Sequence, residues 1–315
     1  MTHPQNIFTE VVGSDCYTSP KWDRSICNAT RVQYGDSRFY RHDEGGNISF
    51  RKGATFLAGK ISGFVGDDRY LDSWRKVQAK KLGSNELVEE WVQNMADFGT
   101  EEHIAYDLLI KGELTEAALA AALKAFAEKS GLSELATYMA TERAKKDVLA
   151  FRQFNLDHSI EVYATEQMVT SPTLCTSTPI DIVATGQFSN GKGKKREKCW
   201  IWGNLKSSEN EQNHRWQCAV ERQLGFETIW KQCKDIEDLP ILIVTIRPLN
   251  WREEPTYDVK DYTEFTTDAN TQEDIRDFAK LLKRRGLFKT PNINSLTWDG
   301  PLLKDTEYRL NPLFV

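Results

Sequence analysis

Apolar positions in the first half of the chain recur every three or four residues, and in the second half they run in short continuous blocks. Leu87, Val88, Trp91, Val92, Met95 and Phe98 share one helical stripe behind a possible N-cap at Ser84. Thr100 can cap a second helix that carries Glu101 and Glu102 in its first turn, where the helix dipole favours acids, and runs to about Lys111 before Gly112 ends it. Two more helices are predicted, Thr115 to Lys129 and Ser133 to about Phe154. After His158 the pattern becomes β-type: Ile160 to Val169, Pro179 to Thr185 and Cys199 to Lys206 read as strands, with Gly186 to Lys198 as a hairpin loop. A helix from Glu211 to about Lys231 follows, with Trp216, Val220 and Leu224 on one stripe, and then a wholly apolar strand from Pro240 to Arg247.

The predicted order is therefore helices followed by β-β-β-α-β, an α/β fold with a small mixed sheet and an N-terminal helical region. Three regions are expected: 1–82, an irregular extension packed on the core; 83–250, the core; and 251–315, a C-terminal extension with a basic helix near Gln272 to Arg285. No repeat stands out. The longest purely aliphatic run, Ile241 to Val244, is far short of a membrane span, so a soluble, cytoplasmic protein is expected, with no membrane partner.

Hydrophobic residues at 40% and charged residues at 28% of 315 give enough apolar mass for a sizeable core. The six cysteines form no CxxC pair and no close His/Cys group, which points to buried thiols rather than a zinc site or a disulfide framework. A net charge of −5 argues against indiscriminate nucleic-acid binding. Distribution qualifies that sum: Lys192, Lys194, Lys195, Arg196 and Lys198 crowd one loop, and a second basic set lies at Lys280 to Lys289. Either can track a phosphate backbone or be an ordinary solvated face.

The most informative stretch is Pro179-Ile180-Asp181-Ile182-Val183, the hairpin, then Trp200 through Gly203 and Asn204-Leu205-Lys206-Ser207. Asn204 and Lys206 lie two apart on a strand and so leave one face, beside an acid on the paired strand. A lysine among Trp200, Ile201 and Leu205 needs a counter-charge or a role. Such a group suits metal binding by Asp181 and phosphate or water positioning by Lys206; the plainer alternative is a surface hairpin with solvated polar ends.

With Ala54-Thr55, Leu71-Asp72-Ser73-Trp74-Arg75, Phe98-Gly99-Thr100-Glu101-Glu102-His103, Asp181, Asn204-Leu205-Lys206-Ser207, and Gln217 with Glu221 in order, the chain resembles the PD-(D/E)xK nucleases of the RecB and phage-exonuclease type, including the exonucleases of mitochondrial genome maintenance. The resemblance spans about Gly53 to Pro248. It implies a metal-dependent DNA exonuclease acting at a single-stranded or duplex DNA end with Mg2+ or Mn2+. It further implies His103, Glu166, Asp181 and residue 204 as metal ligands, and Asp181, residue 204, Lys206 and Gln217 as the catalytic set. Lys192, Lys194, Lys195 and Arg196 are the candidate DNA contacts.

Two positions depart from the family. Glu221 stands where a tyrosine is expected, and Asn204 stands where the family has an acid. An amide offers Mg2+ a neutral carbonyl in place of an anionic oxygen. Three accounts are open: an engineered acid-to-amide change, recruitment of another carboxylate such as Glu166, Glu209 or Glu221, or a DNA-binding or assembly protein that keeps the fold without cutting.

Overall fold

The computed structural model describes residues 16–27, 29–34, 37–44, 47–62, 76–81, 83–85, 88, 101–130, 134–189, 196–206, 211–249 and 256–286. Its strands are β1 (Ala29–Tyr34), β2 (Ser37–Glu44), β3 (Asn47–Lys52), β4 (Glu161–Ser171), β5 (Thr176–Ser189), β6 (Arg196–Leu205), β7 (Ile241–Pro248) and β8 (Tyr257–Asp261). The helices used below are α1 (Ala54–Ile61), α2 (described over 101–111), α3 (Glu116–Ser130), α4 (Glu134–Asp157), α5 (Glu211–Thr228), α6 (Trp230–Ile236), α7 (Thr263–Thr267) and α8 (Ala269–Arg284).

The architecture is mixed α/β, and the sheet is larger than the small one expected: eight strands run in the order β1-β2-β3-β5-β6-β7-β8, with β4 on β5. Thr176 pairs with Ser171 of β4 and Lys52 of β3, and Ile182 pairs with Thr165 of β4 and Gly203 of β6. Strands β3 and β6 therefore share the edge of β5 opposite β4, at its two ends. The order β4-β5-β6-α5-β7 matches the predicted β-β-β-α-β run, and β6 and β7 are parallel, joined through α5.

Two expectations change. Residues 1–82 were read as irregular, yet β1, β2 and β3 form an antiparallel meander and α1 packs on the core. Their sequences carry many arginines and little alternation; what orders them is tertiary, since the His42 imidazole Nε2 meets Ser177 Oγ at 2.7 Å and Arg51 bonds Thr170. The Gly186–Lys198 stretch is strand as far as Ser189 and again from Arg196, because ladder pairs such as Gly186↔Cys199 and Phe188↔Glu197 extend the hairpin. The basic C-terminal helix forms where expected, over Ala269–Arg284; Ile275, Ala279 and Leu282 are buried in the main core, leaving Lys280, Lys283 and Arg284 on its other side. Of the first predicted helix only isolated positions are described, among them buried Val88.

Two apolar clusters fill the two faces of the sheet. One gathers Trp200, Trp202, Val220, Leu224 and Ile275 beneath α1, α5 and α8; the other gathers Tyr106, Phe151, Phe154, Ile182 and Ile201 under α2 and α4. Among the described residues no helix is long and apolar enough to cross a membrane.

Gly225 on α5 lies against the flat of Trp202, and a Cβ there would come within 2.5 Å of the ring. Alanine recovers up to about 1 kcal/mol of helix propensity, but overpacking a filled core costs about 1–3 kcal/mol. Gly225→Ala should therefore lower the midpoint of urea unfolding; an unchanged or raised midpoint would show that Trp202 moves freely.

Candidate metal site

His103, Glu166 and Asp181 come from three separate elements. His103 sits near the start of the described part of α2, Glu166 on β4 and Asp181 on β5, and one ligand atom from each lies within 4.8 Å of the others. The register explains the acids: Thr165↔Ile182 and Gln167↔Ile180 flank Glu166 and Asp181, so the two are cross-strand neighbours. His103 Nδ1 contacts Glu166 Oε1, and its Nε2 is 3.7 Å from Asp181 Oδ2. The Asp181 carboxylate also accepts the Leu205 N–H at 2.8 Å, which ties β5 to the end of β6.

Glu166 has φ of 50°, a left-handed conformation rare for a residue with a Cβ, on a strand whose register also shifts earlier, between Val162 and Ala164. Such a backbone costs roughly 1–3 kcal/mol and persists only where its surroundings impose it. The preceding residue supplies the constraint. Thr165 donates its hydroxyl to Asp107 Oδ1 on α2 and its N–H to the Tyr17 carbonyl at 3.1 Å, while its hydroxyl oxygen accepts the Tyr17 N–H at 2.8 Å. Arg24 bonds its carbonyl. Asp107 is one helical turn beyond His103, so a single clamp fixes the positions of both ligands.

The electrostatics follow from burial and mutual contact. For His103, burial alone would favour the neutral ring, but Asp181 and Glu166 outweigh it and raise the imidazole to about 9. Burial pushes the Asp181 carboxyl up, against His103 and Lys206. Burial works in the same sense on Glu166, but there the adjoining His103, with Arg31 and Arg24 beyond it, wins and holds the carboxyl below its ordinary range.

Asn204 lies across the ladder from Asp181, since Ile182 pairs with Gly203. It is 1% exposed; its Nδ2 donates to Glu221 Oε2 at 2.6 Å, and its Oδ1 is buried without a hydrogen-bond partner. An orphaned buried carbonyl costs about 1–3 kcal/mol, and it is a suitable neutral oxygen donor. Two carboxylates, an imidazole and an amide oxygen suit a hard divalent cation such as Mg2+ or Mn2+. Glu221, one of the carboxylates considered as a substitute ligand, is pushed up by burial to about 7, against Lys206 and Gln217.

Gln217, expected in the catalytic set, donates through Nε2 to Glu221 Oε1 at 2.7 Å and so supports the acid beside residue 204. Lys206 follows the last residue of β6, anchored by its N–H to the Ile246 carbonyl at 2.9 Å. Arg196 stands at the far end of β6, its guanidinium on the Asp157 carbonyl. At about 3.3 Å of rise per residue, the eight steps from it to Asn204 span roughly 26 Å. Lys192, Lys194, Lys195 and Glu209 lie outside the described residues.

Several supporting residues escaped the sequence reading, namely Asp107, Thr165, Arg143 and Asp147. Behind His103, buried Glu102 and Asp147 share Arg143, which reaches each at 3.2 Å. Local sequence did not single them out: Thr165 is one of several polar residues on β4, and Arg143 and Asp147 lie in the charged run Glu142 to Asp147 of α4. No protein-family model matches the chain, and no curated protein does.

Two outcomes are expected. Thr165→Val, which removes the hydroxyl from the clamp, should weaken Mn2+ binding by calorimetry by about 10–100-fold, the usual effect of a group that orients ligands, while Thr165→Ser should bind as the parent does. Burial first, and then Asp147, push Glu102 up to about 8. The folded chain then keeps a proton that the unfolded chain has lost, so stability falls by up to about 1.4 kcal/mol per pH unit from the ordinary carboxylate range toward that value, and levels off above it. Urea titrations at about pH 5, 6.5 and 8 should show this slope, and Asp147→Asn should flatten it.

Proposed function

We propose that this protein is a metal-dependent deoxyribonuclease that hydrolyses phosphodiester bonds from a DNA end, on a core of the PD-(D/E)xK type. The observation that carries the reading is the meeting of His103, Glu166 and Asp181 within 4.8 Å, beside Asn204 and Lys206 at the end of a buried strand. The β4-β5-β6-α5-β7 order, with the acids on the first two strands and the polar-x-Lys triplet on the third, supports the fold assignment.

His103, Glu166, Asp181 and the Asn204 carbonyl would hold Mg2+ or Mn2+. When bound, such an ion supplies Lewis acidity that lowers the pKa of water and offsets charge on a phosphate. Asp181 stays fixed by the Leu205 N–H, which leaves it a second oxygen for a cation. Lys206 places its ammonium where negative charge grows on the phosphoryl oxygens as water adds to phosphorus and the bridging P–O bond breaks. Gln217 holds Glu221, and Glu221 holds the amide of residue 204.

A second reading, a DNA-binding or assembly protein that does not cut, draws support from the same hydrogen bond: the Asn204 amide engages Glu221 as a neutral partner where the resembling nucleases have an acid. An aspartate at 204 would set two carboxylates face to face, so Asn204→Asp should depend on a divalent cation for both activity and stability.

The deciding experiment is degradation of end-labelled linear DNA in Mg2+ or Mn2+ and in chelator, with the parent and Asn204→Asp compared. The nuclease reading expects cation-dependent release of label, faster in Asn204→Asp by on the order of 100-fold, with closed circular DNA left intact. If neither protein cuts, and both shift DNA mobility equally in chelator, the binding reading replaces it.

A further inference from the structure

The sheet register continues past the carboxylates. Asn204 pairs with Thr245 on β7, and Thr245 with Lys260 on β8; one step on, Arg247 pairs with Asp258. Paired residues share a face, so Asp181, Asn204, Thr245 and Lys260 form a row across four strands. Lys206 continues the face of Asn204 beyond the strand end. On the far side of Lys206 this face opens into a shallow, solvent-open recess whose lining includes Lys206, Glu211, His214, Thr245, Arg247, Asp258 and Lys260.

Three fixed cations meet two carboxylates there, and each carboxylate is already spanned by a cation: Glu211 by Lys260 at 3.2 Å and Asp258 by Arg247 at 3.7 Å. The remaining positive charge, a guanidinium able to bind two oxygens at once and the Thr245 hydroxyl are the groups that recognise a phosphate. With strands about 4.8 Å apart, β7 lies roughly 10 Å from Asp181 on β5. A nucleic-acid strand advances about 3.4 Å of axis per nucleotide and more when it is extended, so that separation is at most about three nucleotides.

We propose that this recess is a second phosphate subsite, which holds a backbone or terminal phosphate of the nucleic-acid strand within about three nucleotides of the bond placed at the carboxylates. It deepens the nuclease reading and rests on it for the identity of the ligand. The acids and the recess then define the path of the strand across the sheet, perpendicular to β5, β6 and β7. The hairpin tip around Arg196, at the opposite end of β6, lies off that path.

The test is binding of a short fluorescent single-stranded oligonucleotide in chelator, where neither metal nor cleavage contributes, with a 5′-phosphate, a 3′-phosphate or hydroxyl ends. Arg247→Ala and Lys260→Ala should each weaken binding about tenfold and lower the slope of log affinity against log salt by about one. Asp258→Asn, which removes a competing carboxylate, should tighten binding, a gain that misfolding cannot produce. If the subsite takes a terminal phosphate, only one phosphorylated oligonucleotide outbinds the hydroxyl-ended one, and that preference vanishes in Arg247→Ala; if it takes an internal phosphate, all three weaken alike. Unchanged affinity in Arg247→Ala and Asp258→Asn overturns the subsite. Cation-dependent cutting by Asn204→Asp alongside that result would leave the nuclease reading standing, whereas subsite binding without cutting would remove only the catalysis.

Discussion

Ile182 is paired on both edges, to Thr165 on one side and Gly203 on the other. That double pairing sets Glu166, Asp181 and Asn204 side by side on three strands. A slip of one residue on either edge would turn an acid or the Asn204–Lys206 pair toward the opposite, apolar layer. Ile182, Val183, Ala184, Trp200 and Ile201 are all essentially inaccessible, and the cost of exposing them makes the register firm. The site therefore depends on hydrophobic burial that its own residues do not provide.

What the site contributes is mostly cost. Three titratable groups are pressed together, Glu166 adopts a left-handed backbone, and the Asn204 carbonyl lacks a partner. Each would favour a different local arrangement in isolation. They are held by contacts from further out: Asp107 and Tyr17 on Thr165, Leu205 on Asp181, and Glu221 with Gln217 on Asn204. One amide oxygen without a partner, beside an imidazole and two carboxylates held by an imposing scaffold, is an arrangement that a cation would complete.

The central strands were legible from their β-type runs, β7 most plainly as an apolar block, and α5 because its stripe has helical spacing. His103, Glu166 and Asp181 were named from a resemblance, and the fold brings those three together. The N-terminal meander was not legible: β1 and β2 carry Arg31, Arg38 and Arg41 where a strand pattern would put apolar residues, and β2 and β3 are anchored by contacts to Thr170 and Ser177 more than a hundred residues on. The Asp107–Thr165 contact spans 58 residues, a separation that local spacing does not encode. The Gln217 contact with Glu221, by contrast, is local: the two lie four residues apart on one helix. The recess beside Lys206 depends on β8, five residues of mixed character whose partner is fixed only by the sheet.

The most direct check is a crystal of this protein soaked in Mn2+, with anomalous scattering recorded at the manganese edge. The account predicts a peak bounded by His103, Glu166 and Asp181 with the Asn204 oxygen turned toward it, lost in Asp181→Asn. No peak there at saturating Mn2+, with the His103 to Glu166 contact still closed, would contradict a metal site and with it the nuclease reading.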